Sequence, residues 1–256
     1  MFDLAGKKGL IVGIANDHSI AYGCAKAIFQ AGGQIAATYL NDKAKKFVEP
    51  LTKGLGVTDD LLLKMDVKND EEVDTVFKTV EEKWGKLDFL IHSIAFARAE
   101  DLHGRVVDTS QEGFAEAMNI SCHTLARFAK RAEPLMKDGG TILTMTYFGA
   151  DEVINNYGIM GPVKAALQST VRYLAAELGP QKIRVNAISP GPVSTRAGSG
   201  IKDFDELLET AAQRAPLRRL VTPEDVGALA SFLISEGGSC ITGGTIFIDG
   251  GYHIVG

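Results

Sequence analysis

Two side chains form a pair able to bind and polarise an oxygen: Tyr157 and Lys164. Tyr157 and Lys164 stand seven positions apart. On a continuous helix that spacing turns about 700°, bringing two side chains within about 20° on one face and about 10 Å apart along the axis, so one sugar ring could bridge them. Pro162 interrupts such a helix, because it has no amide proton and crowds the residue before it, and it places the pair in the first turns or just ahead of them. A phenol titrates at about 10 when unperturbed and a neighbouring ammonium favours its anion, so Lys164 is expected to lower the Tyr157 hydroxyl toward neutrality. An arbitrary tyrosine and lysine at this spacing are a half-buried ring and a solvated cation. Chemistry needs a frame that holds them at a ligand.

The frame is legible as short β-rich apolar runs alternating with longer helical patterns. Residues 10–13, 34–40, 61–66, 87–95, 141–147, 184–189 and 245–249 read as strands; 19–30, 43–55, 71–84, 111–136, 164–178, 204–214 and 224–233 read as helices. Strands apolar along their length, such as Leu87-Asp-Phe-Leu-Ile-His-Ser-Ile-Ala, indicate a parallel sheet covered on both faces. Right-handed crossovers then give a Rossmann-like, doubly wound α/β fold of about seven strands. No linker, repeat or low-complexity tract divides the chain, so residues 1–256 are expected to form one dinucleotide-binding and catalytic domain. The stretch rich in Gly and Ser after the sixth strand, with the helix it enters, reads as a substrate lid over 191–214.

In such sheets ligands bind at the carboxyl ends of the strands. The first strand runs into Gly13, and the first helix opens at Ser19 and Ile20, where backbone approach and free helix amides suit a pyrophosphate. Only Gly13 is a glycine there, so a full GxGxxG is missing; the plain alternative is a strand-to-helix turn capped by Ser19. The second strand ends at Leu40-Asn41-Asp42-Lys43, where an acidic residue selects the NAD ribose and a basic one the extra phosphate of NADP. No Arg occurs between Met1 and Phe96, Lys43, Lys45 and Lys46 fall on the next helix, and Asp42 would repel a phosphate, so NADH is expected and NADPH disfavoured. Asp66 and Val67 close the third strand, where the carboxylate can accept from an adenine amino group or belong to a helix-capping turn.

Composition narrows the partners. Lys and Arg total 27 against 32 Asp and Glu, a net charge of −5, with no long run of like charge, which argues against nucleic acid and anionic membranes. Cys24, Cys122 and Cys240 are odd in number and widely spaced, and the five His show no ligand spacing, so neither disulfides nor a metal is expected. The opening residues lack the pattern of an export signal and no segment reaches the roughly 18 apolar residues of a membrane span, so a cytoplasmic location is expected.

The chain resembles the divergent short-chain dehydrogenases/reductases, specifically the bacterial NADH-dependent enoyl-acyl-carrier-protein reductases, through Ser19-Ile-Ala-Tyr-Gly, His92-Ser-Ile, Tyr147 ten residues before Tyr157, Tyr-x6-Lys, Val185-Asn-Ala-Ile-Ser, Ser199-Gly-Ile-Lys-Asp-Phe and Asp249-Gly-Gly. Ordinary members of the superfamily have Tyr-x3-Lys. The resemblance implies reduction of a trans-2-enoyl thioester, with Tyr157 as the electrophile toward the enolate, Lys164 on the nicotinamide ribose and Tyr147 bordering the substrate. It further implies that Gly13, Ser19, Ile20, Asp66, Val67, Ile94, Val193 and Thr195 line the dinucleotide site, that Ala97 touches the acyl group, and that the partners are an acyl carrier protein and three further copies of the chain. Leu40 stands where relatives often carry Gln, Ala95 where they carry Gly, and Asn119 looks like the ordinary superfamily's asparagine. Lys202, Arg218 and Arg219 are the candidate cations for docking an acidic carrier. A keto- or alcohol-directed reductase and a non-catalytic dinucleotide sensor are the alternatives, since fold alone does not choose a reaction.

Overall fold

Seven strands, β1 (Lys8–Val12), β2 (Gln34–Tyr39), β3 (Leu62–Lys64), β4 (Phe89–His92), β5 (Gly140–Met145), β6 (Ile183–Pro190) and β7 (Thr245–Ile248), pair in the order β3-β2-β1-β4-β5-β6-β7 in the computed structural model, which describes residues 2–195 and 204–255. Every pairing is parallel, and the register Val12↔His92 and His92↔Thr144 brings the carboxyl ends of β1, β4 and β5 level. The chain winds outward from β1 to β3 and then restarts on the other side of β1 at β4. That reversal opens a crevice above the carboxyl ends of β1 and β4.

The crossovers carry α1 (Ile20–Gln30), α2 (Asp42–Lys53), α3 (Asp70–Trp84), α4 (Ala99–Leu102), α5 (Gln111–Met118), α6 (Thr124–Ala132), α7 (Met160–Leu178), α8 (Phe204–Arg214) and α9 (Pro223–Ile234). Successive strand residues point to opposite faces, so Leu10, Leu90 and Ile142 feed a layer made by α3, α6 and α7, while Ile11, Ile91 and Leu143 feed one made by α1, α2 and α9. Phe128 of α6 is fully buried in the first layer, and truncating it to alanine would cost roughly 3–5 kcal/mol. In the second layer α1 and α9 cross backbone to backbone: a Cβ on Gly227 would press into the Gly23 carbonyl oxygen, and one on Gly23 into that of Pro223. Local signals start and stop the helices, with Asn41, Asn69 and Ser110 capping through their side chains and Thr222 forming a capping box with Asp225.

Two expectations need correction. The pattern over 111–136 is not one helix: α5 stops at Met118, residues Asn119–His123 form a π turn, α6 follows, and a 3₁₀ turn carrying Pro134 closes the segment. A π turn inserts a residue while leaving the flanking apolar spacing helical, so periodicity did not reveal it. The strand expected over 87–95 ends at His92, and the residues after it leave the sheet to form a wall of the crevice. Of the lid expected over 191–214, residues 196–203 lie outside the described residues.

Candidate active site

A cavity of about 380 Å³ opens at the carboxyl ends of β4, β5 and β6, and its walls include Ile20, Ile94, Ala97, Tyr147, Tyr157, Lys164, Val193 and Thr195. Gly13 lies just behind it with φ +114°, and a Cβ there would press into the Ser93 carbonyl oxygen. Only glycine joins β1 to α1 while allowing that approach. Ser19 does not cap α1: its hydroxyl donates to the Asn16 carbonyl oxygen at 2.6 Å and makes no cap bond to the helix amides. Leu40, 53% exposed after β2, and Asp66 and Val67 after β3 sit farther along the same sheet edge, outside the cavity lining. The Lys68 amide donates to Asp66 Oδ1 at 2.9 Å, so that carboxylate also orders its own turn.

Tyr157 and Lys164 meet at the cavity without sharing a continuous helix. α7 begins at Met160, so Tyr157 precedes it in a turn flanked by two left-handed residues, Asn156 (φ 62°) and Gly158 (φ 48°). Pro162 in the first turn of α7 needs no intrahelical amide bond, which is why the helix starts where it does. The Tyr157 ring packs over Gly149, whose Cβ, if present, would lie 2.5 Å from Tyr157 Cδ1. Tyr147 meets it edge-on with ring centroids 5.0 Å apart. Lys164, one turn into α7 and only 5% exposed, donates from Nζ to the Met145 carbonyl oxygen at 2.8 Å.

Burial, rather than the lysine charge, governs the phenols. Desolvation raises the Tyr157 hydroxyl well above its ordinary value, with Tyr147 adding to the rise, and desolvation likewise raises Tyr147. The expected lowering of Tyr157 by Lys164 is therefore overturned: both phenols are neutral donors at pH 7. Burial pushes the Lys164 ammonium down to about 8, so it remains mostly cationic near neutrality. The Tyr147 hydroxyl oxygen is buried without a hydrogen-bond partner among the described residues, a donor held open beside the cavity.

Two contributors escaped the sequence reading. Gly149 makes room for Tyr157, a role no spacing encodes. His92, fully buried, lies with Nδ1 2.8 Å from Thr144 Oγ1 and Nε2 2.7 Å from Thr124 Oγ1. Since the Thr124 hydroxyl donates to the Ile120 carbonyl oxygen at 2.7 Å, it accepts from His92 Nε2–H, and Nδ1 accepts from Thr144. Burial first, and the Lys164 charge second, push His92 down to about 3, so this neutral ring ties β4 and β5 to the π turn. Its position inside an apolar run and its place in the His92-Ser-Ile motif were the available signals.

The uncapped α1 terminus, the close approach at Gly13 and the open Tyr147 hydroxyl fit a dinucleotide and a polar substrate atom. A doubly wound sheet with a buried tyrosine and lysine in the crevice beside that terminus defines a short-chain reductase. A family model described as enoyl-(acyl carrier protein) reductase matches residues 13–253. The chain is 49% identical over 259 residues, 100% of both sequences, to the NADH-dependent enoyl-acyl-carrier-protein reductase of Synechocystis sp.. Among solved structures, the Anaplasma phagocytophilum reductase in complex with NAD superposes with a TM-score of 0.95 at 49% identity, covering 99% of this chain and 96% of that one. The Bacillus cereus reductase with NADP⁺ and indole naphthyridinone gives 0.97 at 43% identity with full coverage of both. The chain belongs to the enoyl-acyl-carrier-protein reductase family.

Proposed function

We propose that this protein reduces the trans-2 double bond of enoyl-acyl-carrier-protein thioesters, the last step of each fatty-acid elongation cycle, with NADH as reductant. The observation that carries the reading is the joint placement of Tyr157, Tyr147 and Lys164 on one cavity, with both phenols neutral. NADH, when bound, supplies the hydride that adds to Cβ. Tyr157 donates a hydrogen bond to the thioester oxygen as that oxygen gains enolate charge, the point at which a preorganised donor acts most strongly. Taking up one proton at Cα completes the saturated thioester. Lys164 holds the cofactor ribose and keeps the local potential positive, Tyr147 borders the substrate, and Ala97 touches the acyl group.

Gly13, Ser19, Ile20, Ile94, Val193 and Thr195 would hold the nicotinamide and pyrophosphate half, and Leu40, Asp66 and Val67 the adenosine half. Lys45, one of three lysines at the start of α2, lies with Nζ 5.6 Å from the Tyr39 ring centroid, a cation–π arrangement, and Asp42 at the start of the same helix disfavours a 2′-phosphate, which supports NADH over NADPH. Of the segment 191–214 read as a substrate lid, Gly191, Pro192, Val193, Thr195, Phe204 and Leu207 line the cavity, which supports that reading; residues 196–203 lie outside the described residues. For the carrier protein, Arg218 is the better candidate, because among the described residues its guanidinium donates only to the neutral Gln213 carbonyl oxygen, whereas the Arg219 charge is paired with both carboxylate oxygens of Asp225 at 2.6 and 3.0 Å; Lys202 lies outside the described residues.

Two separated apolar faces support a homotetramer: Phe114 and Tyr173 on α5 and α7, and Leu217 and Ile254 beside β7 are exposed. Two faces, each pairing with the same face of another copy, would close into a dimer of dimers. No helix of the described residues is long and apolar enough to cross a membrane. The free thiols Cys24, Cys122 and Cys240 suit a reducing cytoplasm.

The test is cofactor oxidation at 340 nm with crotonyl and longer enoyl thioesters, alongside acetoacetyl thioester. NADH consumption on the enoyl substrates with none on the ketoacyl substrate is expected. Equal rates on both would support a keto-directed reductase, cofactor binding without turnover a sensor, and a higher kcat/KM with NADPH would overturn the cofactor assignment.

A further inference from the structure

The π turn at Asn119–His123 carries one fully buried hydroxyl that the proposed reaction does not use. Ser121 is fully buried, and its single hydroxyl engages both backbone polar groups of one residue of the crevice wall: the Phe96 amide donates to Ser121 Oγ at 2.8 Å, and the Ser121 hydroxyl donates to the Phe96 carbonyl oxygen at 3.0 Å. Phe96 belongs to the irregular stretch after β4, and together with Ala95 and Ala97 it lines the reaction cavity. This stretch lies beyond the end of the β4 ladder, so Ser121 supplies to Phe96 what a neighbouring strand would otherwise supply.

The turn that presents Ser121 is itself anchored. The Ile120 carbonyl oxygen accepts from the Thr124 hydroxyl, Thr124 accepts from His92 Nε2, and His92 Nδ1 accepts from Thr144 on β5. The next residue of β5, Met145, offers its carbonyl to Lys164. Hydrogen bonds joined by the Thr144–Met145 and Ile120–Ser121 peptide links thus run from the strand that holds the lysine, through His92, to the turn that holds the Phe96 wall.

We propose that Ser121 is a positioning residue for substrate binding, fixing the Phe96–Ala97 wall against the acyl thioester. The proposal rests on the enoyl-thioester reading for its substrate, but the clamp itself does not. Among the described residues the Ser121 hydroxyl bonds only to Phe96, beyond Ile94 in the chain. Its loss therefore acts first on the Phe96–Ala97 wall that faces the substrate.

The test uses Ser121→Ala in the full-length protein, a change that removes one oxygen and leaves the packing volume nearly intact. Amide hydrogen exchange at Phe96 is expected to accelerate at least about tenfold, since both bonds holding it vanish. The KM for a long-chain enoyl thioester is expected to rise about tenfold, with kcat within about twofold of wild type and NADH affinity unchanged. Unchanged exchange at Phe96 overturns the clamp whatever the enzyme reduces. Faster exchange with unchanged KM overturns the positioning role. Wild-type protein inert toward enoyl thioesters would instead remove the substrate reading, leaving the exchange result to judge the clamp.

Discussion

Two neutral phenols and one depressed ammonium divide the chemistry between them. Tyr157, kept protonated by burial, can donate to an oxygen but cannot serve as a phenolate base at pH 7. Tyr157→Phe is therefore expected to lower kcat by about 10²- to 10³-fold, the usual cost of losing one oxyanion donor, while the NADH dissociation constant stays within about twofold. Lys164→Ala should weaken NADH binding as well as turnover, measurable by fluorescence titration; unchanged affinity would remove the ribose contact. Burial lowers Lys164 to about 8, so its positive charge is present below that pH and lost above it. The wild-type kcat/KM for NADH should fall with one-proton dependence as pH rises through about 8, a limb absent from Lys164→Ala.

At the scale of elements, catalysis depends on backbone that lets the tyrosine in. The turn before α7 seats Tyr157 over Gly149, and Gly158, held left-handed, packs beside the Leu102 carbonyl of α4. A methyl at position 149 would sit 2.5 and 2.8 Å from two ring carbons, which forces the ring to move. Overpacking of this kind costs roughly 1–3 kcal/mol. Gly149→Ala is expected to fold, to lose at least about tenfold in kcat, and to bind NADH as wild type does; a kcat equal to wild type would show that the ring position is not set there.

The strands and most helices were legible because buried parallel strands are apolar throughout and because Gly32-Gly33 and the capping residues punctuate them. The tyrosine–lysine pair was legible by type and spacing. The π turn, the seat at Gly149 and the His92 bridge were not, since each is a tertiary fit between segments far apart in sequence. The direction of the Tyr157 shift was misjudged because sequence supplies a neighbouring charge but no measure of desolvation.

For the whole molecule, His92 links the site to acid stability. Its ring is neutral when folded, with burial holding it down to about 3 against an ordinary 6.5. Between those values the unfolded chain binds a proton that the folded chain refuses, so this contribution is complete above pH about 6.5 and declines as pH falls. From pH 7 to pH 5 the loss is roughly 2 kcal/mol from this residue. Denaturant melts at the two pH values should show it in the wild type and a correspondingly smaller loss in His92→Gln.

The glycine crossing of α1 and α9 has a consequence for biosynthesis. The helix that opens the dinucleotide site rests against one formed by residues 223–234, far downstream of it in the chain. A ribosome must add about two hundred residues after α1 before that helix meets the surface it is shaped for. The nascent N-terminal half therefore waits with an uncovered flank, and an acceptable substitution at Gly23 or Gly227 must satisfy a partner some two hundred residues away along the message.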